Sequence, residues 1–303
     1  MKIIVAGATG FIGTPLVGRL LAAGHLVTAL SRDPTQARGK MEGAGCLRWD
    51  GRSLDDAARA AVAEADAVVN LAGASVAGRR WSKKYQEEIR ASRVESTRAL
   101  VEAMLAARRP GVVFVGGSGT GYYGDTGDYE VTEETAAGTD FLAGVCRAWE
   151  AEAQRVAEAG ARVVLMRTGV VLGKGGGALA KMTTPFKLGV GGRIGNGKQW
   201  FPWIHLDDEV GLIEFVLGTP HAHGPVNATA PNPVTMQEFA RALGKAMHRP
   251  AVMPVPGFAL RAFVGKVAEA LLSGQRALPR AAEKWGYHFR HPTLEGALAE
   301  IFA

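Results

Sequence analysis

Gly7, Gly10 and Gly13 stand at three-residue spacing in the segment KIIVAGATGFIG, residues 2–13. A strand, a glycine-rich turn and a helix start in that order make a phosphate cradle. The first glycine permits the tight turn, the second lets backbone approach a pyrophosphate, and the third lets helix pack on strand. Thr9, Phe11 and Ile12 share the turn and join the candidate cofactor-binding set. The residue ending the second strand, roughly 20 residues past the glycines, faces the adenosine ribose of a dinucleotide. An acid there would bind the ribose hydroxyls of NAD, whereas an arginine would pair with the 2′-phosphate of NADP. Here Leu30 is followed by Ser31 and Arg32, which favours NADP over NAD; the plain alternative is a solvated loop arginine. Ser31 adds a hydroxyl contact, and Asp33, before Pro34, shapes the turn.

Hydroxyl chemistry is available further along. Ser118, Tyr122 and Tyr123 follow the apolar run 112–115, at the carboxyl end of a strand, where open α/β sheets bind ligands. Ser118 is a candidate hydrogen-bond donor near a nicotinamide ring. Tyr122 is a candidate proton donor or a packing aromatic. Cys46 and Cys146 are far apart and match no metal spacing, so no metal site is expected. Cys146 is either a redox-active thiol or a small buried hydrophobe.

The elements that position these residues alternate through the first half. Residues 3–5, 25–30, 45–48, 67–71, 112–115 and 162–167 read as strands. Helices are expected from residue 11 to 23, at 54–63, at 81–108 before Pro110, and at 141–159. That alternation predicts an α/β fold, a Rossmann-type doubly wound parallel sheet. After Gly169 the texture changes. Residues 173–203 are glycine-rich and weakly periodic. A strand near 224–229 rejoins the sheet, and helices follow near 235–247, 258–273 and 293–302. The expected division is a dinucleotide-binding domain over 1–172 and a smaller mixed substrate-side lobe over 173–303.

Composition limits the partners. Of 303 residues, 47% are hydrophobic and 21% charged, as in an ordinary globular protein. No apolar run is long enough to span a bilayer, and the N-terminal run is too short for a signal peptide. Two distant cysteines suit a reduced cytoplasm. The formal net charge of +6 comes from basic residues spread along the chain without a nucleic-acid reader motif. Solvated faces, or sites for an anionic cofactor and substrate, account for it. The expectation is a monomer or homodimer that acts on a small molecule, without nucleic acid or membrane.

The glycine turn, Asn70-Leu71-Ala72-Gly73 and Gly121-Tyr122-Tyr123-Gly124 resemble extended short-chain dehydrogenase/reductases. The resemblance is tighter to an atypical branch, the epimerase family 39U1-like proteins with a C-terminal DUF1731 segment. Arg80-Trp81, the stretches 146–150, 167–173, 197–200 and 203–208, then 230–234 and 272–276 are similar to that branch from end to end. The resemblance implies a nicotinamide nucleotide site without a defined substrate; a nucleotide-linked sugar is one candidate. It implies nucleotide contacts from Leu71, Ala72, Gly73 and Arg167. It also implies that Asp50 meets the adenine amino group, unless it is a turn or cap aspartate. Tyr123, Lys181, Arg193, Gln199, Trp200 and His205 resemble substrate-side positions, with structural roles open for Tyr123 and His205.

The same resemblance exposes a departure. The usual reductase employs a tyrosine as acid/base, a lysine four residues on, and a Ser or Thr that polarises the carbonyl. Glu150 matches the glutamate that follows, which places Leu142 at the tyrosine and Cys146 at the lysine. Gly119 fills the serine slot. Neither Leu142 nor Cys146 can take over the missing role, so Ser118 and Tyr122 are the replacement candidates. Two readings stay open: an NADP-dependent oxidoreductase or epimerase, and a catalytically degenerate NADPH-binding sensor.

Overall fold

The computed structural model describes residues 1–303, the side chain of Phe263 excepted. Seven strands form one parallel sheet: β1 (Lys2–Ala6), β2 (Leu26–Ser31), β3 (Gly45–Arg48), β4 (Ala67–Asn70), β5 (Val113–Gly119), β6 (Arg162–Thr168) and β7 (Gly224–Ala228). Their spatial order is β7-β6-β5-β4-β1-β2-β3. The strands are short and rich in Val and Ile because both faces of the sheet are covered. Ile3, Val5, Val27, Val115 and Met166 pack on one side with α1 (Gly13–Ala22). Ile4, Leu30, Val68, Phe114 and Leu165 pack on the other.

Local chemistry starts the helices. Asp33 caps α2 (Pro34–Lys40), Asp55 caps α3 (Asp56–Glu64), Ser82 caps α4 (Lys83–Ala107) and Asp140 caps α5 (Phe141–Gln154). Each side chain accepts a bond from a backbone N–H otherwise left without an acceptor. The glycine-rich region contains α6 (Gly177–Lys187), and α7 (Leu206–Gly218) precedes β7. The sequence pattern did not predict α7. It buries Val210, Leu212, Ile213, Val216 and Leu217 together with Asp208 and Glu209, so no polar stripe marks its outer side.

The C-terminal part adds α8 (Met236–Ala246), α9 (Gly257–Val264), α10 (Val267–Leu272), α11 (Arg280–Trp285) and α12 (Leu294–Phe302). The single helix expected at 258–273 is thus two helices. They part at Gly265, whose φ of 65° lies in the left-handed region that ends helices. A separate core of Leu179, Phe186, Trp203, Phe239 and Leu298 holds this lobe together.

The connection order reverses at β1, which pairs with β2 on one side and β4 on the other. Open sheets of this kind bind ligands at such a reversal, outside the carboxyl ends of the strands. Here backbones are drawn unusually close. A Cβ on Gly7 would stand 2.7 Å from the Leu71 carbonyl carbon, and one on Gly13 only 2.2 Å from the Gly7 oxygen. Gly13→Ala is therefore expected to cost about 3 kcal/mol of stability, the upper part of the usual overpacking range. Urea denaturation checks this; an unchanged midpoint would show that the turn yields.

Candidate functional site

A crevice of about 1110 Å³ opens at the carboxyl ends of β1, β2 and β4. Gly7, Thr9, Gly10, Ser31, Arg32, Asp50, Leu71, Ala72 and Gly73 line it, so the structure brings these residues together. The turn is fixed by the Gly10 N–H donating to Gly7 O at 3.0 Å and the Thr14 N–H donating to Gly10 O at 3.0 Å. No side chain caps α1, and the N–H groups of Phe11 and Ile12 find no acceptor among the described residues. Open helix N–H groups of this kind suit an anion. A Cβ on Gly10 would meet only Gly7 O, at 3.1 Å, so the space above this glycine is open.

The ends of β2 and β3 form the other wall. Ser31 Oγ donates to Asp33 O at 3.1 Å and accepts the Asp33 N–H at 3.2 Å, which ties the hydroxyl to the turn. Arg32 is exposed, and its guanidinium makes no hydrogen bond among the described residues. Asp50 Oδ1 accepts the N–H groups of Arg52 at 2.8 Å and Ser53 at 2.9 Å. The backbone bonds from Ser53 and Arg52 hold its carboxyl below the usual range, so it shapes the turn while lining the crevice. Sequence reasoning missed Arg52, Arg79 and Lys84 as lining residues. It also missed Asn70, whose Oδ1 accepts the Ala72 N–H at 3.1 Å and whose Nδ2 donates to Thr97 at 2.9 Å. That pair of bonds sets the path of residues 71–73.

The end of β5 and β6 differs from the sequence expectation. Arg167, expected at the cofactor, is 3% exposed and does not line the crevice. Its Nε and Nη2 donate to Glu150 at 2.9 Å each, and Nη1 donates to Tyr123 Oη at 3.0 Å and Glu133 O at 3.1 Å. Four of a guanidinium's five N–H donors are thereby used inside the protein. Ser118 Oγ donates to the same Glu150 at 2.6 Å, so its proton points inward and not toward a ligand. Tyr123, expected on the substrate side, is buried and donates to Asn227 at 2.6 Å. Burial, only partly offset by Arg167, pushes its hydroxyl up to about 12. Cys146 is buried against Gly119 O, and burial followed by the Glu150 charge pushes the thiol up to about 11. A neutral thiol there packs and does not react. Tyr122 is the exception. Its ring lies under the Arg167 guanidinium at 3.5 Å, and its hydroxyl has no protein partner among the described residues.

The remaining substrate-side expectations are scattered, and none lines the crevice. Lys181 donates to Ala77 O at 2.6 Å and pins the loop after β4. Gln199 Nε2 bridges Ile194 O and Leu271 O at 3.0 and 3.2 Å. Trp200 donates to Asp128 at 3.1 Å under the Arg276 guanidinium. Arg193 is exposed. His205 caps α7 by accepting the Asp207 N–H, contacts Glu300 at 3.0 Å and stacks on His291 at 3.8 Å. Phe11, expected at the cofactor, packs its ring on Gly173, Gly176 and Gly177 and so links the turn to the lobe; Ile12 packs on the core.

Residues 3–228 match the NAD dependent epimerase/dehydratase family, and residues 255–301 match a domain of unknown function, DUF1731. The chain belongs to the NAD dependent epimerase/dehydratase family. It is similar to human epimerase family protein SDR39U1, 40% identical over 307 residues and spanning 100% of both chains. Epimerase family protein YfhF of Bacillus subtilis is 36% identical over 304 residues, covering 100% of this chain and 98% of YfhF. A crystal structure of human SDR39U1 (isoform 2) with NADPH matches at a TM-score of 0.89 and 39% identity, covering 100% of this chain and 99% of that one.

One buried acid in this epimerase-family chain lies beside the carboxyl end of β6. Glu209 on α7 is fully buried; Oε1 accepts the Thr168 hydroxyl at 2.9 Å and Oε2 has no partner among the described residues. Burial pushes its carboxyl from 4.5 up to about 8. The folded protein therefore keeps a proton that the unfolded chain releases above its ordinary value. Stability should fall as pH rises from about 4.5 to about 8 and then level off. Glu209→Gln should flatten that fall, read as the denaturation midpoint at pH 5 and pH 8. Equal slopes for both proteins would show that Glu209 is ionised throughout.

Proposed function

We propose that this chain binds NADPH in the crevice and moves hydride between it and a small carbonyl or hydroxyl compound, as an oxidoreductase or epimerase. The observation that carries the reading is Arg32. It stands exposed and unpaired at the end of β2, across the crevice from the uncapped start of α1. A guanidinium in that place pairs with a 2′-phosphate, and the open N–H groups of Phe11 and Ile12 receive the diphosphate. The NADPH in the human relative's crystal structure supports the same choice.

When bound, NADPH supplies the hydride. The chain's own part is to bind, orient and handle a proton. Leu71, Ala72 and Gly73 offer main chain to the ribose and diphosphate. Tyr122 holds the hydroxyl with no internal partner beyond β5, and it is the residue proposed to give or take the substrate proton. The Arg167 guanidinium stacked over its ring fixes where that hydroxyl points. A second reading, an NADPH-responsive sensor, is favoured by one specific observation: Ser118, Glu150 and Arg167 satisfy one another, so none of the three is free to serve as a second proton donor.

Two measurements test these readings. Calorimetry should show NADPH binding more tightly than NADH, and Arg32→Ala should cost about 1.5–3 kcal/mol with NADPH alone. Equal affinity for both nucleotides would remove the assignment. NADPH oxidation over a carbonyl panel should then show turnover that Tyr122→Phe lowers about tenfold or more. Cys146→Ala should stay within about threefold, less than roughly 1 kcal/mol of barrier. Binding without turnover across the panel would replace the enzyme reading with the sensor.

A further inference from the structure

Leu188, Val190, Val252, Met253 and Phe258 are exposed by 49% to 76%. Among the described residues only Met1, Leu26 and Tyr129 are comparable, and they lie elsewhere. The five fall in two segments that run side by side. The Met253 N–H donates to Gly191 O at 3.1 Å, Val255 N–H to Arg193 O at 2.9 Å, and Gly195 N–H to Val255 O at 2.9 Å. Phe258 stands in the first turn of α9, which Arg80 fastens to the body of the protein through Ala262 O at 3.0 Å. The apolar tips are thus presented on braced backbone. Isolated exposed apolar residues are ordinary, but a group gathered at one place marks an interaction face.

Charge narrows the partner. Lys187 and Arg193 flank the first segment in sequence, Lys245, Arg249, Arg261 and Lys266 stand before and after the tips of the second, and all are exposed. No aspartate or glutamate occurs between Glu158 and Asp207, or between Glu238 and Glu269. Glu238 is itself taken up in a capping box with Thr235. Glu269, on α10, is the exposed acid that follows. A second copy is a poor fit, because a two-fold interface would set these cations against themselves. Exposed apolar side chains flanked in sequence by exposed cations, with no acid in the same stretches, match the boundary between lipid headgroups and acyl chains.

We propose that this face attaches the protein to an anionic lipid surface, with Leu188, Val190, Met253 and Phe258 entering the boundary and the cations meeting lipid phosphates. Such attachment needs no spanning segment, and no helix among the described residues is long and apolar enough to span. It departs from the sequence expectation of no membrane partner, which rested on the length of apolar runs.

Vesicle co-sedimentation of the full chain tests this, with phosphatidylcholine alone beside phosphatidylcholine containing phosphatidylglycerol. Binding is expected only with the anionic vesicles and should weaken with salt. Leu188→Ser with Phe258→Ser, and separately Arg249→Glu with Arg261→Glu, should each lower the partition at least tenfold, since each lost cation counts for roughly fivefold. Leu26→Ser and Lys40→Glu, on other faces, should change it less than twofold, and circular dichroism checks that each variant folds. The proposal is overturned by no binding to anionic vesicles at low salt. It is overturned equally if Lys40→Glu costs as much per reversed charge as the Arg249→Glu, Arg261→Glu pair, which would leave only net charge. A dimer in ultracentrifugation that Phe258→Ser dissolves would make the face a self-association surface instead.

Discussion

Glu150 and Arg167 are both buried, and neither could be there without the other. Removing one partner of such a pair leaves a charge without water or counter-ion, typically a loss of 3–5 kcal/mol. The pair joins α5 to β6, accepts the Ser118 hydroxyl's hydrogen bond from β5, and sets the positions of Tyr122, Tyr123 and Glu133 around one guanidinium. The carboxyl end of the sheet on this side is consequently rigid and internally satisfied. The opposite side, at β1, β2 and β4, keeps its N–H groups and Arg32 open to the crevice. The molecule is thus asymmetric, built to hold a nucleotide and sparing in groups that could act on a substrate.

The glycine turn connects those two sides. Gly7 lies against Leu71, Gly13 lies against Gly7, and Phe11 between them reaches out to Gly173, Gly176 and Gly177. The phosphate cradle and the start of α6 therefore share one aromatic ring. The loop after β4 is held from the same lobe by Lys181 and from α9 by Arg80. Anything that displaces the turn reaches the lobe through these contacts.

The nucleotide half was legible because its signals are local. Strand, turn and helix follow one another within about twenty residues, and apolar runs such as 3–5 and 67–70 announce a sheet covered on both faces. The division of α9 and α10 was hidden because the apolar pattern continues through Gly265, and only the sign of its φ breaks the helix. The roles of Ser118, Arg167 and His205 were hidden for another reason. Their acid partners, Glu150 for Ser118 and Arg167 and Glu300 for His205, come from other elements, and nothing in the spacing says which acid a buried polar group will meet. The loss of the usual tyrosine and lysine was visible at Leu142 and Cys146; what replaces them required the side chains in space.

The edge strand β7 carries a consequence for how the protein is made. It pairs with β6 through Gly224–Ala228, some fifty residues after β6 ends, and Asn227 closes over the Tyr123 hydroxyl. Until that stretch leaves the ribosome, β6 is an open border with unpaired amides and carbonyls, and the Arg167 cluster lacks a wall. Open strand borders recruit other chains. The interval between synthesis of β6 and of β7 is when a nascent chain is most exposed to mispairing, so the later half of the sequence serves as the cover for a sheet begun by the first.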